Sequence, residues 1–529
     1  MTAWSPLRYR VYRSLWIALL VSNIGTWMQT VGAAWLMLEL KASPAVVALV
    51  QTATYLPVLF VGIAAGALAD LVDRRRMLLA TQGFMLVAAV TLAVVTAAGA
   101  VTPVILLALT FAFGLGSALS FPAWQAIQPE LVPAREFRQA LTLGSANQNI
   151  GRAIGPALGG VLIVAAGPWL VFALNAVSFV AVLFVLVRWR RETDKGIGPP
   201  EAFAGAIRAG VRHAAFSHVL QGVMVRALAF GLASAGLMSL LPVYARDVLG
   251  VGSGGLGLLY AGFGVGAVAV AVLLPRLRAR LSADRVFALG TGVVAAALVA
   301  LAVVHGIAAA LAVSFIAGGG WLVCLSSLMV ATQEAVPGWV RARGLGFYLT
   351  AISAGIAAGS AFWGWVANHA GVQATYAWGA LALSATLALA LRWRFDRIAE
   401  IDLRPAPMSV AAEAVVGTDP DSPTLVVVGY EVRPEAERDF LEALRLVGRV
   451  RRRTGATGWS VYRDADREHR FVETFVLSSW DEHRRQHQRR TVTDLEHQDA
   501  LLQYLRPGSA PTARHFVAPS GPSMRLWWF

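Results

Sequence analysis

The chain of 529 residues is 57% hydrophobic and only 14% charged, with a mean hydropathy of +0.60; soluble domains carry about a quarter charged residues, so a wholly soluble protein is excluded. Its net charge of +14 comes from arginines in short clusters between apolar runs rather than along one basic face, which argues against nucleic acid as a partner. The sole cysteine, Cys324, lies inside an apolar run, which rules out a disulfide within the chain and a thiolate metal site.

Crossing a bilayer as a helix takes about 20 apolar residues. Twelve such runs are predicted, at 13–40, 47–69, 77–99, 101–123, 138–166, 168–188, 217–245, 253–274, 284–304, 307–330, 342–369 and 372–393. The first is too long for a signal peptide and lacks a small-residue cleavage site, so it reads as a retained helix. It carries Ser22, Thr26 and Gln29 along one stripe, with Asn23, Trp27 and Thr30 beside it and Glu39 near its far end. Thr26, Trp27 and Gln29 are therefore candidates to line a pathway. For Trp27, as for Trp35, Trp321, Trp363 and Trp365, the competing reading is an interfacial anchor.

Between the second and third spans stands Gly66-Ala67-Leu68-Ala69-Asp70-Leu71-Val72-Asp73-Arg74-Arg75-Arg76. A glycine permits close helix approach, a carboxylate suits a neighbouring helix N-terminus, and the arginines pin the turn to the cytoplasmic face. This makes Gly66, Asp70, Asp73, Arg74 and Arg75 candidate gating residues. The fifth span carries Gly151-Arg152-Ala153-Ile154-Gly155-Pro156-Ala157-Leu158-Gly159-Gly160. Gly151, Gly155 and Gly159 recur at i, i+4 and i+8, exposing backbone for close packing together with Gly160, and Pro156 removes an internal hydrogen bond where the helix can bend. An arginine inside a span costs roughly 3 kcal/mol or more unless it faces a wet cavity or a partner. Arg152 is therefore predicted to face the pathway, with Gln148 and Asn149 on its side of the helix and Asn147 nearby, a set suited to an anionic or hydrogen-bonding substrate. The alternative is that Arg152 snorkels to the interface, and its depth decides between them.

The basic clusters fall on one side of this topology, from Arg8, Arg10 and Arg13 through Arg74–Arg76 and Arg276–Arg280 to Arg392–Arg397, while the other side holds Lys41 and Arg246. The positive-inside rule then puts both termini in the cytoplasm, which requires an even number of crossings. A shift of 204 positions aligns Glu130-Leu131-Val132-Pro133 with Glu334-Ala335-Val336-Pro337, and Gly62, Gly151, Gly155 and Gly160 with Gly266, Gly355, Gly359 and Gly364. Two six-helix halves are thus related by a parallel repeat. At the position of Asp70 the second half has Leu274, so the two copies of the basic turn are not equivalent.

The loop motif resembles the signature loop of the major facilitator superfamily, and the fifth-span motif resembles the GxxxGPxxGG pattern of its exporters. With Gly25-Thr26-Trp27-Met28-Gln29 they make residues 1–400 similar to the transmembrane secretion effector, or enterobactin-exporter-like, subgroup. The resemblance implies an all-α polytopic membrane protein of twelve helices in two six-helix repeats, alternating access, and efflux by proton antiport. It also implies the bacterial inner membrane, a small-molecule substrate with lipid and protons as the other partners, and no cofactor. One departure bears on coupling. Proton-coupled drug exporters of the superfamily carry an arginine four residues before a GxG in the fourth helix; here Gly114-Leu115-Gly116 is preceded by Thr110. The remaining protonatable candidates, Asp70, Glu39, His305 and His369, are peripheral. No Walker-type loop supports direct coupling to ATP.

After Arg397 the composition changes. The expected organisation is a first half at 1–190, a cytoplasmic linker at 191–216, a second half at 217–400, a Pro/Ala-rich linker at 401–423, a soluble domain at 424–518 and a tail at 519–529. Strand and helix periodicities over 424–518 give the order βαββαβ, a small ferredoxin-like α+β domain. It looks like the antibiotic-biosynthesis-monooxygenase domain, which implies dimerisation through the sheet. His483 and His487 stand at i and i+4, but with no matching third ligand they read as a solvated helix face rather than a metal site. Trp459, His469 and Trp480 read as core or dimer contacts, and no catalytic residue is assigned. The sequence thus predicts a secondary exporter of small amphipathic compounds or siderophores. An importer or facilitator on the same fold is the alternative, and a membrane-anchored monooxygenase is the alternative of another class.

Overall fold

A computed structural model describes residues 4–189, 203–396, 398, 401–407 and 421–518, with the side chains of a few positions inside helices, Gly66 and Asp70 among them, outside that set. The first half contains α1 (Arg10–Glu39), α2 (Pro44–Leu71), α3 (Arg74–Ala97), α4 (Pro103–Leu131), α5 (Phe137–Ala166) and α6 (Pro168–Arg188). There follow α7 (Phe203–Phe216), α8 (His218–Ser239), α9 (Leu241–Asp247), α10 (Ser253–Arg280), α11 (Ala283–Val303), α12 (Ile307–Glu334), α13 (Arg341–Ala370), α14 (Val372–Ala385) and α15 (Leu389–Arg392).

Eleven helical stretches among the described residues are long and apolar enough to cross a membrane. The twelfth predicted span, α1, is 30 residues long but falls short on apolarity because of its stripe of Ser22, Asn23, Thr26, Gln29 and Thr30. It packs along α5 and α6 as a member of the bundle. Large apolar side chains such as Phe60, Val161, Val164 and Leu381 point outward, as a hydrocarbon surrounding requires. Pro44, Pro103 and Pro168 open their helices at the first turn, where a missing N–H costs nothing.

The repeat reappears as contacts. A Cβ on Gly155 would meet the Ile24 carbonyl oxygen at 2.7 Å and the Met28 nitrogen at 3.4 Å, and one on Gly359 would meet the Leu232 Cα at 2.8 Å. Met28 and Leu232 are themselves 204 positions apart, so α5 lies on α1 as α13 lies on α8. Gly160 meets α10 at Ser253 and Gly257, and Gly364 meets α2 at Ala45 and Ala48, so each half reaches across to the other by the same helix.

The chain divides into two compact units. One comprises Met1–Phe203, Gly222–Thr332 and Leu345–Asp396; the other comprises Ala204–Gln221, Gln333–Gly344 and Arg397–Phe529. The second unit is built on β1 (Thr424–Glu431), α16 (Glu437–Thr454), β2 (Gly458–Arg463), β3 (Arg470–Leu477), α17 (Trp480–Gln488), α18 (Val492–Asp499) and β4 (Thr512–Val517). Its antiparallel sheet runs β2-β3-β1-β4, the split arrangement that the βαββαβ order predicts. Val426, Val428 and Tyr430 on β1 face Phe440, Leu444 and Val447 of α16. The fully buried Glu473 accepts from the Tyr430 hydroxyl at 2.8 Å, Trp459 Nε1 at 2.9 Å and Arg451 Nε at 3.4 Å. Trp459 is thereby a core residue.

Two expectations change here. The stretch 191–216, read as a linker, contains the helix α7, which belongs to the compact unit of the C-terminal domain; residues 190–202 lie outside the described set. His483 is no solvated face. It is 2% exposed, with its ring 4.7 Å from His487, 4.8 Å from His515 and 5.3 Å from Trp480. Period-3.6 counting put the polar ring outward because it could not show that β4 and α17 meet.

Candidate substrate pathway and gate

Arg152 is the sixteenth residue of a 30-residue helix. At 1.5 Å per residue it lies about 22 Å from the helix start, beyond the reach of a snorkelling side chain. Its guanidinium sits over the Trp27 ring at 5.1 Å. Tyr55 of α2 lies within electrostatic range of it, and Tyr260 of α10 within range of Tyr55. Among the described residues no carboxylate stands at ion-pair distance from Arg152. Arg152 is thus a cation in mid-bundle with an indole of α1 against it and the phenol of Tyr55 of α2 in its field, while the Tyr260 hydroxyl donates to the Met238 carbonyl at 3.1 Å.

The glycines fix the walls around it. Gly151 and Gly155 press α5 onto Asn23 and Trp27 of α1, and Gly159 presses it onto Met28. On its other side a Cβ at Gly264 would stand 2.6 Å from the Arg152 carbonyl, one at Gly257 2.6 Å from the Pro156 carbonyl, and one at Gly160 2.7 Å from the Ser253 carbonyl. From Arg152 to Gly160, toward the arginine-poor end, α5 and α10 are therefore in backbone contact, which only glycine allows. In the opposite direction Gln148 is exposed and Asn149 half-buried, with Asn149 donating at 2.9 Å to the Ser145 carbonyl. Arg152 stands where this backbone contact ends.

The first-helix candidates divide. Trp27 and Thr26 are half-buried, with Trp27 under Arg152. Gln29 is buried and accepts from Asn175 of α6 at 2.5 Å, which turns it into a helix–helix contact. Asn147 does the same between α5 and α1, accepting from Asn23 at 2.7 Å and donating to the Trp16 carbonyl at 2.7 Å. Sequence reasoning missed Tyr55 and Tyr260. The offset of 204 places them within one residue of each other, a signal that a repeat search for polar groups would have caught.

The basic turn is a staple. Asp73 caps α3 by accepting from the Arg76 N–H at 2.9 Å. Arg74 pairs with Glu130 at 2.7 Å and donates to the Ala126 carbonyl at 3.0 Å, while Arg75 donates to the Leu186 and Val187 carbonyls, each at 2.8 Å. The start of α3 is thus tied to the ends of α4 and α6, whose unpaired carbonyls attract a cation. The Asp70 side chain lies outside the described residues. In the second half this role passes to Arg226, which sequence reading did not single out. It is 2% exposed, pairs with Asp284 at 2.5 Å, donates to the Trp393 carbonyl at 2.9 Å and lies 3.6 Å from the Phe395 ring.

The remaining motif residues pack. A Cβ on Gly114 would meet the Thr54 carbonyl at 2.5 Å, one on Gly116 would meet Met85 at 2.5 Å, and Thr110 is buried. Cys324 is buried beside Thr291 and Gly290. His305 and Gln373 share a hydrogen bond at 3.1 Å near the arginine-poor end, and His369 bonds the Trp365 carbonyl of its own helix at 2.8 Å. A cavity of about 430 Å³ at that end, between Pro44, Val243, Asp247 and Gly371, is remote from Arg152 along the helices.

The model of one family, described as transmembrane secretion effector, matches residues 1–522. Among characterised relatives, a staphyloferrin A transporter of Staphylococcus aureus (strain NCTC 8325 / PS 47) is 30% identical over 165 residues, 31% of this chain and 42% of that protein. The multidrug efflux pump Tap of Mycolicibacterium fortuitum is 28% identical over 244 residues, 44% of this chain and 58% of that protein. The chain thus matches well under two thirds of the length of either relative. Among solved structures, a POT family transporter in complex with 5-aminolevulinic acid superposes with TM-score 0.60 at 12% identity, over 73% of this chain and 96% of that one. The inward-facing, unoccupied bacterial homologue of the lysosomal transporter Spinster gives 0.55 at 16% identity, over 74% and 96%. At these identities the likeness concerns the fold.

Proposed function

Because the chain belongs to the transmembrane secretion effector family of the major facilitators, a family of membrane transporters, we propose that it is a secondary active exporter of small anionic or hydrogen-bonding amphipathic molecules, siderophores among them. The observation that carries this reading is Arg152, a mid-bundle cation on Trp27, sealed toward the arginine-poor end and flanked by Gln148 and Asn149 toward the arginine-rich end. With the arginine-rich end in the cytoplasm of a bacterial cell, and both termini there, Arg152 loads from inside. An anion arriving at Arg152 neutralises it, lowering the cost of bringing both halves together around a buried charge. Rocking of the halves then parts the glycine contact between α5 and α10 and opens the other side. The staple of Asp73, Arg74 and Arg75 holds the ends of α3, α4 and α6 as one body during the motion, with Gly66 and Asp70 beside it at the end of α2. The siderophore transporter and the drug efflux pump among the relatives support both substrate class and direction. The driving ion in this reading is the proton, exchanged through peripheral groups such as Asp70 and Glu39.

The test is transport in inside-out vesicles, which fixes direction as well as activity. An iron-free triscatecholate should accumulate with the wild type, at least tenfold less with Arg152→Ala and to an intermediate degree with Arg152→Lys. Equal accumulation in Arg152→Ala refutes the site. Loss of substrate from preloaded inside-out vesicles points to an importer.

A further inference from the structure

The turn between α12 and α13 differs from its repeat partner in the first half in one informative way. Under the offset of 204, Arg135 and Glu136 correspond to Trp339 and Val340. In the first half Glu136 is fully buried and held by Arg8 and by the Tyr9 hydroxyl at 3.1 Å, so that turn is fastened by the chain's own N-terminal segment. In the second half both positions are apolar or aromatic, and Val340 is 2% exposed although it sits in a short connection between two long helices. An apolar connection at the end of a bundle needs a cover.

The cover is the C-terminal domain. Trp339 lies between two elements of its own compact unit: the His213 ring of α7 meets it edge-on at 5.5 Å, and the Arg489 guanidinium, just past the end of α17, stacks on it at 4.8 Å. Arg489 is held by Glu482 of α17 at 2.6 Å, and Glu482 also pairs with Arg212 of α7 at 3.1 Å. These charges are largely withdrawn from solvent, with 7%, 10% and 18% side-chain exposure for Arg489, Glu482 and Arg212. At the end of α7, Arg452 of α16 stacks on Phe216 at 4.8 Å, and Arg449 meets His218, the first residue of α8, at 3.0 Å. Gly210 of α7 admits Arg343, the third residue of α13, whose Cδ a Cβ there would touch at 3.0 Å. Three segments far apart in sequence therefore share one core: the helix leading into the second half, the α12–α13 turn, and the C-terminal domain.

We propose that the C-terminal domain is a clamp on the second half, with Trp339 as the knob it grips and Glu482 as the bolt between α7 and α17. The α12–α13 turn joins helices whose ends must move when a facilitator changes the side it opens to, and α7 leads through Ser217 into α8. Fixing α7 and that turn in one body restrains the ends of α12 and α13 relative to α8. In the first half, among the described residues, the corresponding turn is fastened by the N-terminal segment and α1 instead, through Arg8, Tyr9 and Tyr12, so the clamp acts on one half of the repeat. A paired buried charge gives this grip specificity of register, because either partner alone is costly to leave buried.

The experiment is amide hydrogen exchange on the full chain in nanodiscs, which needs no knowledge of the substrate and so stands or falls apart from the export reading. Wild type is compared with Trp339→Ala, Trp339→Phe and Arg212→Ala. Arg212→Ala releases α7 while leaving Glu482 paired with Arg489, so it guards against a Trp339 variant that fails to fold. The expected result is exchange raised about tenfold together in α7, in 333–344 and in α17, accompanied by faster exchange in the last turns of α12 and the first turns of α13. Trp339→Phe should stay close to wild type, since a ring still fills the slot. Exchange raised only at the substituted segment, or unchanged at the ends of α12 and α13 in both alanine variants, overturns the clamp.

Discussion

The contact between α5 and α10 is close enough that a single methyl group should part it. Alanine at Gly257 would place its Cβ 2.6 Å from the Pro156 carbonyl oxygen and 3.0 Å from the Gly160 Cα, where ordinary contact begins at 3.4 Å. Both neighbours are backbone, so no side chain can swing away. The helices must separate by roughly 0.8 Å, and overpacking of this kind typically costs ~1–3 kcal/mol. Because the two helices belong to different halves, that cost falls on the sealed state alone and shifts the balance toward the state open at the arginine-poor end. A difference of about 1.4 kcal/mol is a tenfold change in population. The reporter is a cysteine at Ser253, which is 4% exposed beside Gly160, in a Cys324→Ala background. Gly257→Ala should raise its rate of labelling by a water-soluble maleimide about tenfold. Gly262→Ala, on the same helix but with no neighbour closer than 3.5 Å, should leave it unchanged. Equal labelling in all three proteins would show that the glycine contact does not control access.

Other outcomes can be checked by simpler means. Asp73→Ala removes the cap of α3 and should lower the thermal midpoint of the membrane unit by a few degrees, in line with a loss of ~1 kcal/mol for one cap. Glu473→Ala should destabilise the C-terminal domain by ~3–5 kcal/mol, since it strands the buried Arg451 without its carboxylate; denaturant unfolding followed by tryptophan fluorescence measures it. Acidification should loosen the same unit. Burial pushes the His213 imidazole down to about 3, His483 to about 4 and His487 to about 3, so below the ordinary value of 6.5 the unfolded chain takes up protons that the folded one refuses. Stability contributed by these groups is present above pH 6.5 and is lost as pH falls toward their folded values, at up to about 1.4 kcal/mol per pH unit for each group. Unfolding midpoints from pH 8 to 5 should therefore fall, and His483→Phe should flatten the slope.

Much of this protein could be read from residue order alone, because the relevant physics is local or periodic. A hydrocarbon core demands about 20 apolar residues per crossing, so the spans announce themselves one at a time. The glycines at 151, 155 and 160, and their copies 204 positions on, could be read as packing positions because only a missing Cβ permits such approach. The βαββαβ order of the last domain followed from periodicity, and the sheet order β2-β3-β1-β4 agrees with it. What the sequence could not supply was partners across space. Whether Arg152 reached the interface or stayed in the bundle depended on its depth, and that Trp27 and Tyr55 come near it depended on how three helices cross. Gln29 and Asn147 looked like lining residues, because an amide on a helix stripe reads the same whether it meets substrate or another amide. Arg226 went unnoticed because its carboxylate, Asp284, is 58 residues away. The linker helix and the α12–α13 turn appeared independent of the C-terminal domain, since nothing local couples residues 212, 339 and 482. Only the folded chain brings a carboxylate, two guanidiniums and an indole into one buried cluster, because the worth of such a group depends on what surrounds it in three dimensions and not on its neighbours in sequence.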